Sequence, residues 1–98
     1  MKVIIRRKAA DDFDRLFQWI SKDNPRAAAK MAGRIRDRIN ILELPSLAHM
    51  GRQGFVEGTL ELVEYPFIIV YRVDDERAEV TILSILHGAR NREDLRID

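Results

Sequence analysis

The side chains with the most chemistry to offer are His87, Arg72, Arg90, Arg52 and Glu61. Cutting RNA with its own 2′-hydroxyl needs a base to take that proton, an acid for the leaving oxygen, and cations on the phosphate, whose charge grows in the transition state. An imidazole, arginines and a carboxylate cover every one of these roles. A plainer reading stands beside it, because a histidine at the end of a strand is more often simply packed or hydrogen-bonded there. Other chemistries lack their residues. The phosphate cradles G-x-x-x-x-G-K-[ST] and G-x-G-x-x-G are absent. With no cysteine in the chain, thiol nucleophiles, disulfides and Cys-ligated zinc are excluded. His49 and His87 lie far apart without metal-ligand spacing, so neither a metal nor a cofactor is expected. No nucleophile elbow frames Ser21, Ser46 or Ser84.

The elements that must position these groups read as strand, two helices, then strands. "KVIIRR" (Lys2 to Arg7) has three β-branched residues in a row and predicts a first strand. Ala9, Phe13, Leu16, Phe17 and Ile20 then recur at helical spacing, with Asp11 and Asp12 placed in the first turn, where negative charge suits the helix dipole. That helix ends near "SKDNP". Asn24 is a good N-cap and Pro25 suits the first position of a second helix, whose apolar stripe is Ala28, Met31, Ala32, Ile35, Ile39 and Leu42 and which Pro45 stops. A joint of about three residues predicts an antiparallel helical hairpin. "GRQGFVEG" (Gly51 to Gly58) reads as an irregular connection with room for one short strand. "TLELVE", "FIIVYRVD" and "AEVTILSILH" follow at the close spacing of antiparallel hairpins. The last two are apolar almost throughout, as central strands are, and the helical hairpin is the cover for one face. The fold class is therefore α+β, the helical hairpin lying on a small, mainly antiparallel sheet.

Two surfaces stand out on the helices. The second helix carries Arg26, Lys30, Arg34, Arg36 and Arg38, relieved only by Asp37, which makes it either a surface for an acidic partner or a solvated face covered by long basic side chains. Trp19 lies roughly 100° of helical rotation from the centre of the first helix's stripe, as a hairpin contact or a partner anchor.

Ninety-eight residues, 46% hydrophobic and 34% charged, suit one domain with one core, residues 1–98, ending in a short polar tail from about residue 89. A domain this small buries roughly 60–65% of the surface its chain would otherwise expose, so it stands to gain from a partner. The opening "MKVIIRRKAADDFDR" has too short an apolar run for a signal peptide or a membrane span. Together with the missing cysteines this points to the cytoplasm. The net charge is only +1, so any nucleic-acid surface must come from where the 17 basic residues lie and not from their total.

Order and spacing add a resemblance. Gly51-Arg52 with Gly58-Thr59 and Glu61-Leu62, then Tyr65-Pro66-Phe67 leading to Val70-Tyr71-Arg72, and finally Leu86-His87-Gly88-Ala89-Arg90 resemble the RelE/ParE superfamily of small bacterial toxins, and within it the ParE branch. The resemblance covers nearly the whole chain. It implies a toxin of a type II toxin–antitoxin system, bound and neutralised in a hetero-oligomer by a ParD-like antitoxin and meeting DNA only through it. The superfamily holds two activities, messenger-RNA cleavage on the ribosome and interference with DNA gyrase.

Ribonuclease members place a basic residue shortly before the "VY" of the central strand and an aromatic hydroxyl beside the terminal histidine. Here Phe67 and Ile68 stand at the first place, and Gly88 follows His87. Each such loss removes on the order of a hundredfold in rate. The resemblance thus implies a gyrase-directed binding protein and no enzyme. The alternatives are a ribosome-dependent endoribonuclease using His87, Arg72, Arg90 and Glu61, and a harmless member acting only in a repressor complex. In the preferred reading His87 ends the last strand and Gly88 lets the backbone turn. Arg90, Arg92 and Arg96 contact the target, while Trp19, Arg26, Lys30, Arg34 and Arg38 meet the antitoxin, which lays a helix on the hairpin or adds a strand to the sheet edge.

Overall fold

The structure, a computed structural model, describes residues 1–88. It contains β1 (Lys2–Ile5), α1 (Arg7–Asp23), α2 (Pro25–Ile41), β2 (Arg52–Gln53), β3 (Leu60–Glu64), β4 (Phe67–Asp74) and β5 (Glu79–His87). The five strands form one mixed sheet in the order β1-β5-β4-β3-β2. β2 through β5 pair antiparallel with their neighbours, and β1 lies parallel to β5. The α+β class with a helical hairpin on the sheet is the architecture expected from the sequence.

Alternation sets the faces. Phe67, Ile69 and Tyr71 of β4 share a face with Val80, Ile82 and Ile85 of β5 and Leu62 of β3, and all belong to the core that Met31, Ile35, Ile39 and Leu42 close from above. Every residue of the expected α2 stripe is buried. The α1 stripe is mostly half-buried, with only Ala9 and Asp12 of this helix buried, although α1 itself lies against β5.

Three details depart from the sequence reading. β1 stops at Ile5 because β5 bulges just beyond its partner Ile82, and Arg7 already opens α1. The helix therefore starts earlier than the acidic pair suggests, its first turn holds no acid, and Asp12 lies inside it and buried. The joint is the single residue Asn24, which ends α1 and caps α2, its side chain accepting from the Ala27 N–H at 3.0 Å with Pro25 directly after it.

Candidate functional site

His87 is the last residue of β5 and pairs with Phe67. Its ring meets Phe67 and Trp19 edge-on, each with centroids 5.5 Å apart, and so sits on the helix-covered face. Its Nδ1 is buried without a hydrogen-bond partner. Gly88 follows at φ +55°, its N–H donating to the Pro66 carbonyl across the turn. Glu61 pairs with Val70, and Val70 and Arg72 have the parity opposite to Phe67, so both charged side chains belong to the face away from the helices. Arg72 also lies five residues along β4 from Phe67, roughly 17 Å at the strand rise. Among the described residues, then, the catalytic trio of the ribonuclease alternative does not converge. Arg90 of that set, and Arg92 and Arg96, lie outside the described residues.

Glu61 has a different employment. Its side chain is 2% exposed, accepts from Arg52 Nη2 at 3.2 Å and Nε at 3.3 Å, and takes the Phe55 N–H at 3.1 Å. Burying a carboxylate is costly unless it is paired and hydrogen-bonded, and here the pairing fixes the connection between β2 and β3. That connection packs tightly at its start as well. The Gly51 N–H donates to the buried Tyr71 hydroxyl at 2.9 Å, and a Cβ on Gly51 would stand 2.6 Å from that oxygen and 2.8 Å from the Glu61 carbonyl oxygen. Burial pushes the Tyr71 phenol above its usual pKa, against the opposing effect of the Gly51 N–H.

A polar knot that no sequence pattern announced joins α1 to β5. Beyond Ile82, β1 no longer covers β5, and the Asp12 carboxylate takes over, accepting from the Ile85 N–H at 3.1 Å and the Ser84 hydroxyl at 2.7 Å. Lys8 reaches both Asp12 and Ser84 at 2.9 Å, and Arg15 closes on the second carboxylate oxygen at 3.0 Å. Burial raises the Asp12 pKa, but the Lys8, Ser84 and Ile85 hydrogen bonds outweigh it and hold the carboxyl below its usual value. A charge-assisted patch thus completes the ladder where β1 ends. The only signal in the sequence was Lys8 and Asp12 at i,i+4.

The hairpin offers two recognition features. At the end away from Asn24, the first half of α1, the second half of α2, Ile5 and Ile85 leave an apolar cleft of about 220 Å³, rimmed by Asp14, Arg36 and Asn40. Trp19 is 52% exposed although its ring meets His87 of β5 edge-on, so the contact shown is with the sheet and the rest of the ring is an exposed aromatic. The basic side of α2 is divided. Arg34 binds Glu64 at 2.8 Å and the Tyr65 carbonyl at 2.7 Å, and Arg38 stands 3.5 Å from Glu64 through an Nε that makes no hydrogen bond. Arg26 and Lys30 are exposed with no ion pair among the described residues. Among the described residues there is neither a group of three or more acids and histidines able to hold a metal nor a helix long and apolar enough to cross a membrane.

The helical hairpin on a five-stranded mixed sheet, with its histidine-terminated last strand, defines a RelE/ParE-like toxin domain. Residues 3–92 match the profile of the family described as ParE toxin of type II toxin-antitoxin system, parDE, and the chain belongs to that family. A Sinorhizobium fredii protein, Y4kP, whose name marks it as a candidate toxin, is 36% identical over 84 residues, covering 83% of this chain and 81% of its own. Among solved structures, the chromosomal ParDE toxin–antitoxin system of P. aeruginosa matches with a TM-score of 0.77 at 27% identity, over 90% of this chain and 96% of that one. The RelBE2 toxin–antitoxin complex of Mycobacterium tuberculosis matches with a TM-score of 0.60 at 26% identity, over 90% and 91%. The chain is the toxin component of a type II toxin–antitoxin system.

Proposed function

We propose that this toxin arrests growth in the cytoplasm by binding DNA gyrase, without catalysis of its own, and that a ParD-like antitoxin neutralises it. The observation that carries this reading is the separation of His87 from Glu61 and Arg72 onto opposite faces of the sheet. General acid–base cleavage requires those groups within hydrogen-bond reach of one phosphodiester. In its place Phe67 and Trp19 pack edge-on against the imidazole. Membership of the ParE family and the ParDE neighbour support the antitoxin, while the gyrase target is what the resemblance to the ParE branch implies. The antitoxin has a suitable seat in the apolar cleft between the helices, with Trp19, Arg26 and Lys30 further along the hairpin. A segment that folds on binding fills such a cleft with an amphipathic helix.

The test is biochemical. The purified chain is expected to inhibit supercoiling by purified gyrase and to leave transcripts on programmed ribosomes intact. Cleaved transcripts with unimpaired supercoiling would return His87, Arg72 and Arg90 to a catalytic role.

A further inference from the structure

The connection between β2 and β3 is built with more care than a surface loop needs for its own sake. It begins at Gly51, clamped on the Tyr71 hydroxyl, and passes Gly54, whose N–H donates to the Thr59 carbonyl at 2.8 Å and where any Cβ would collide with Thr59 Oγ1. It returns through Thr59, which donates both its N–H and its hydroxyl to the Val56 carbonyl. Between these fixed points the buried Glu61 holds the Phe55 N–H and Arg52. The outcome is a braced loop that keeps Phe55 64% exposed. Packing on the protein itself gives no reason to hold a phenyl ring in water.

The strand register places cations beside it. Tyr71 pairs with Leu60, the first residue of β3, and Leu60 pairs with Gln53 at the end of β2, so Arg72, the next residue along β4, lies about two strand spacings, roughly 10 Å, from the base of the loop. Arg72 is exposed, and its side chain has no ion pair or hydrogen bond among the described residues. The Arg52 side chain is 56% exposed and turns only its Nε and one Nη to Glu61, which leaves further donors facing water. An aromatic ring on a rigid support, flanked by arginines, is the composition that concentrates binding energy at protein interfaces, because little ordering entropy remains to be lost.

We infer that this loop, with Phe55 as anchor and Arg72 and Arg52 beside it, is the surface by which the toxin grips its target protein. The partner it fits is a protein surface with an apolar pocket for the phenyl ring, bordered by carboxylates. The antitoxin cleft opens beside β1 and β5, whereas this loop lies at the opposite, β2 edge of the sheet. The inference rests on the proposed binding mode of toxicity, and names the contact within it.

The test compares the full chain with Phe55→Ala, Phe55→Trp and Arg72→Glu in two readouts, gyrase supercoiling in vitro and growth arrest on induction. Thermal melting is the control for folding, and the exposure of both residues leads us to expect unchanged melting. Phe55→Ala and Arg72→Glu should each raise the half-inhibitory concentration on the order of thirtyfold or more, while Phe55→Trp keeps activity. If the parent inhibits gyrase and the variants do so equally well, the loop assignment is wrong and the gyrase reading stands. If the parent spares gyrase but arrests growth, and Phe55→Ala is harmless, the loop assignment stands with a different protein target. Shortened transcripts that depend on Phe55 and Arg72 would make this a nucleic-acid surface and overturn the inference, as would a parent chain without effect on growth.

Discussion

At Asp12, burial and hydrogen bonding pull the carboxyl in opposite directions, and hydrogen bonding wins. The ordinary pKa is 3.8 and the folded value is lower, so the folded state binds the proton less readily than the unfolded chain does. The resulting stabilisation is fully present above the ordinary carboxylate range and is lost as pH falls through the lowered folded value. Replacing Asp12 with Ala leaves the Ile85 N–H and the Ser84 hydroxyl without their acceptor and Lys8 without its counter-ion, a loss of about 2–3 kcal/mol. Urea denaturation at neutral pH should show that loss as a lower midpoint, and the gap to the parent should narrow as the pH falls below the ordinary value of 3.8 and through the lowered folded one. A gap that stays constant with pH would mean that Asp12 stabilises by packing alone.

Among the elements, those with local signals were legible. The α2 stripe, the Asn24-Pro25 start and the bounds of β4 could all be read because capping chemistry and periodicity act within a few residues. The start of α1 was misplaced because the β-branched run at Val3 to Ile5 continues into arginines that suit either state, and what ends β1 is a bulge in a strand some 80 residues later. Glu61 was read as a candidate catalytic residue of the ribonuclease alternative because its type and its place beside Leu62 were visible, whereas its engagement with Arg52 and the Phe55 N–H exists only once β2 pairs with β3. The turn after β4 holds a further non-local surprise. Ala78 adopts φ +53°, its N–H donating to the Asp75 carbonyl at 3.3 Å. A left-handed alanine costs about 1 kcal/mol that glycine avoids. Ala78→Gly is therefore expected to leave stability unchanged or raise it by up to about 1 kcal/mol, and a clear drop in the melting temperature would show that the Cβ has a packing role.

For the whole molecule, the distribution of features matters more than the net charge of +1. One edge of the sheet, with the helices above it, offers an apolar cleft of a size for side chains of a folding peptide, and the other edge offers a fixed aromatic loop with arginines. The imidazole that first suggested catalysis meets two aromatic rings edge-on, on a face that Glu61 and Arg72 do not share. Such a chain is suited to holding two proteins, one that releases growth arrest and one that suffers it. The measurement that tests this account most directly is controlled expression of the chain alone, with DNA-damage signalling and bulk messenger-RNA integrity followed in the same cells. Growth arrest with damage signalling and intact transcripts is the predicted result; arrest with rapidly shortened transcripts and no damage signal would contradict it.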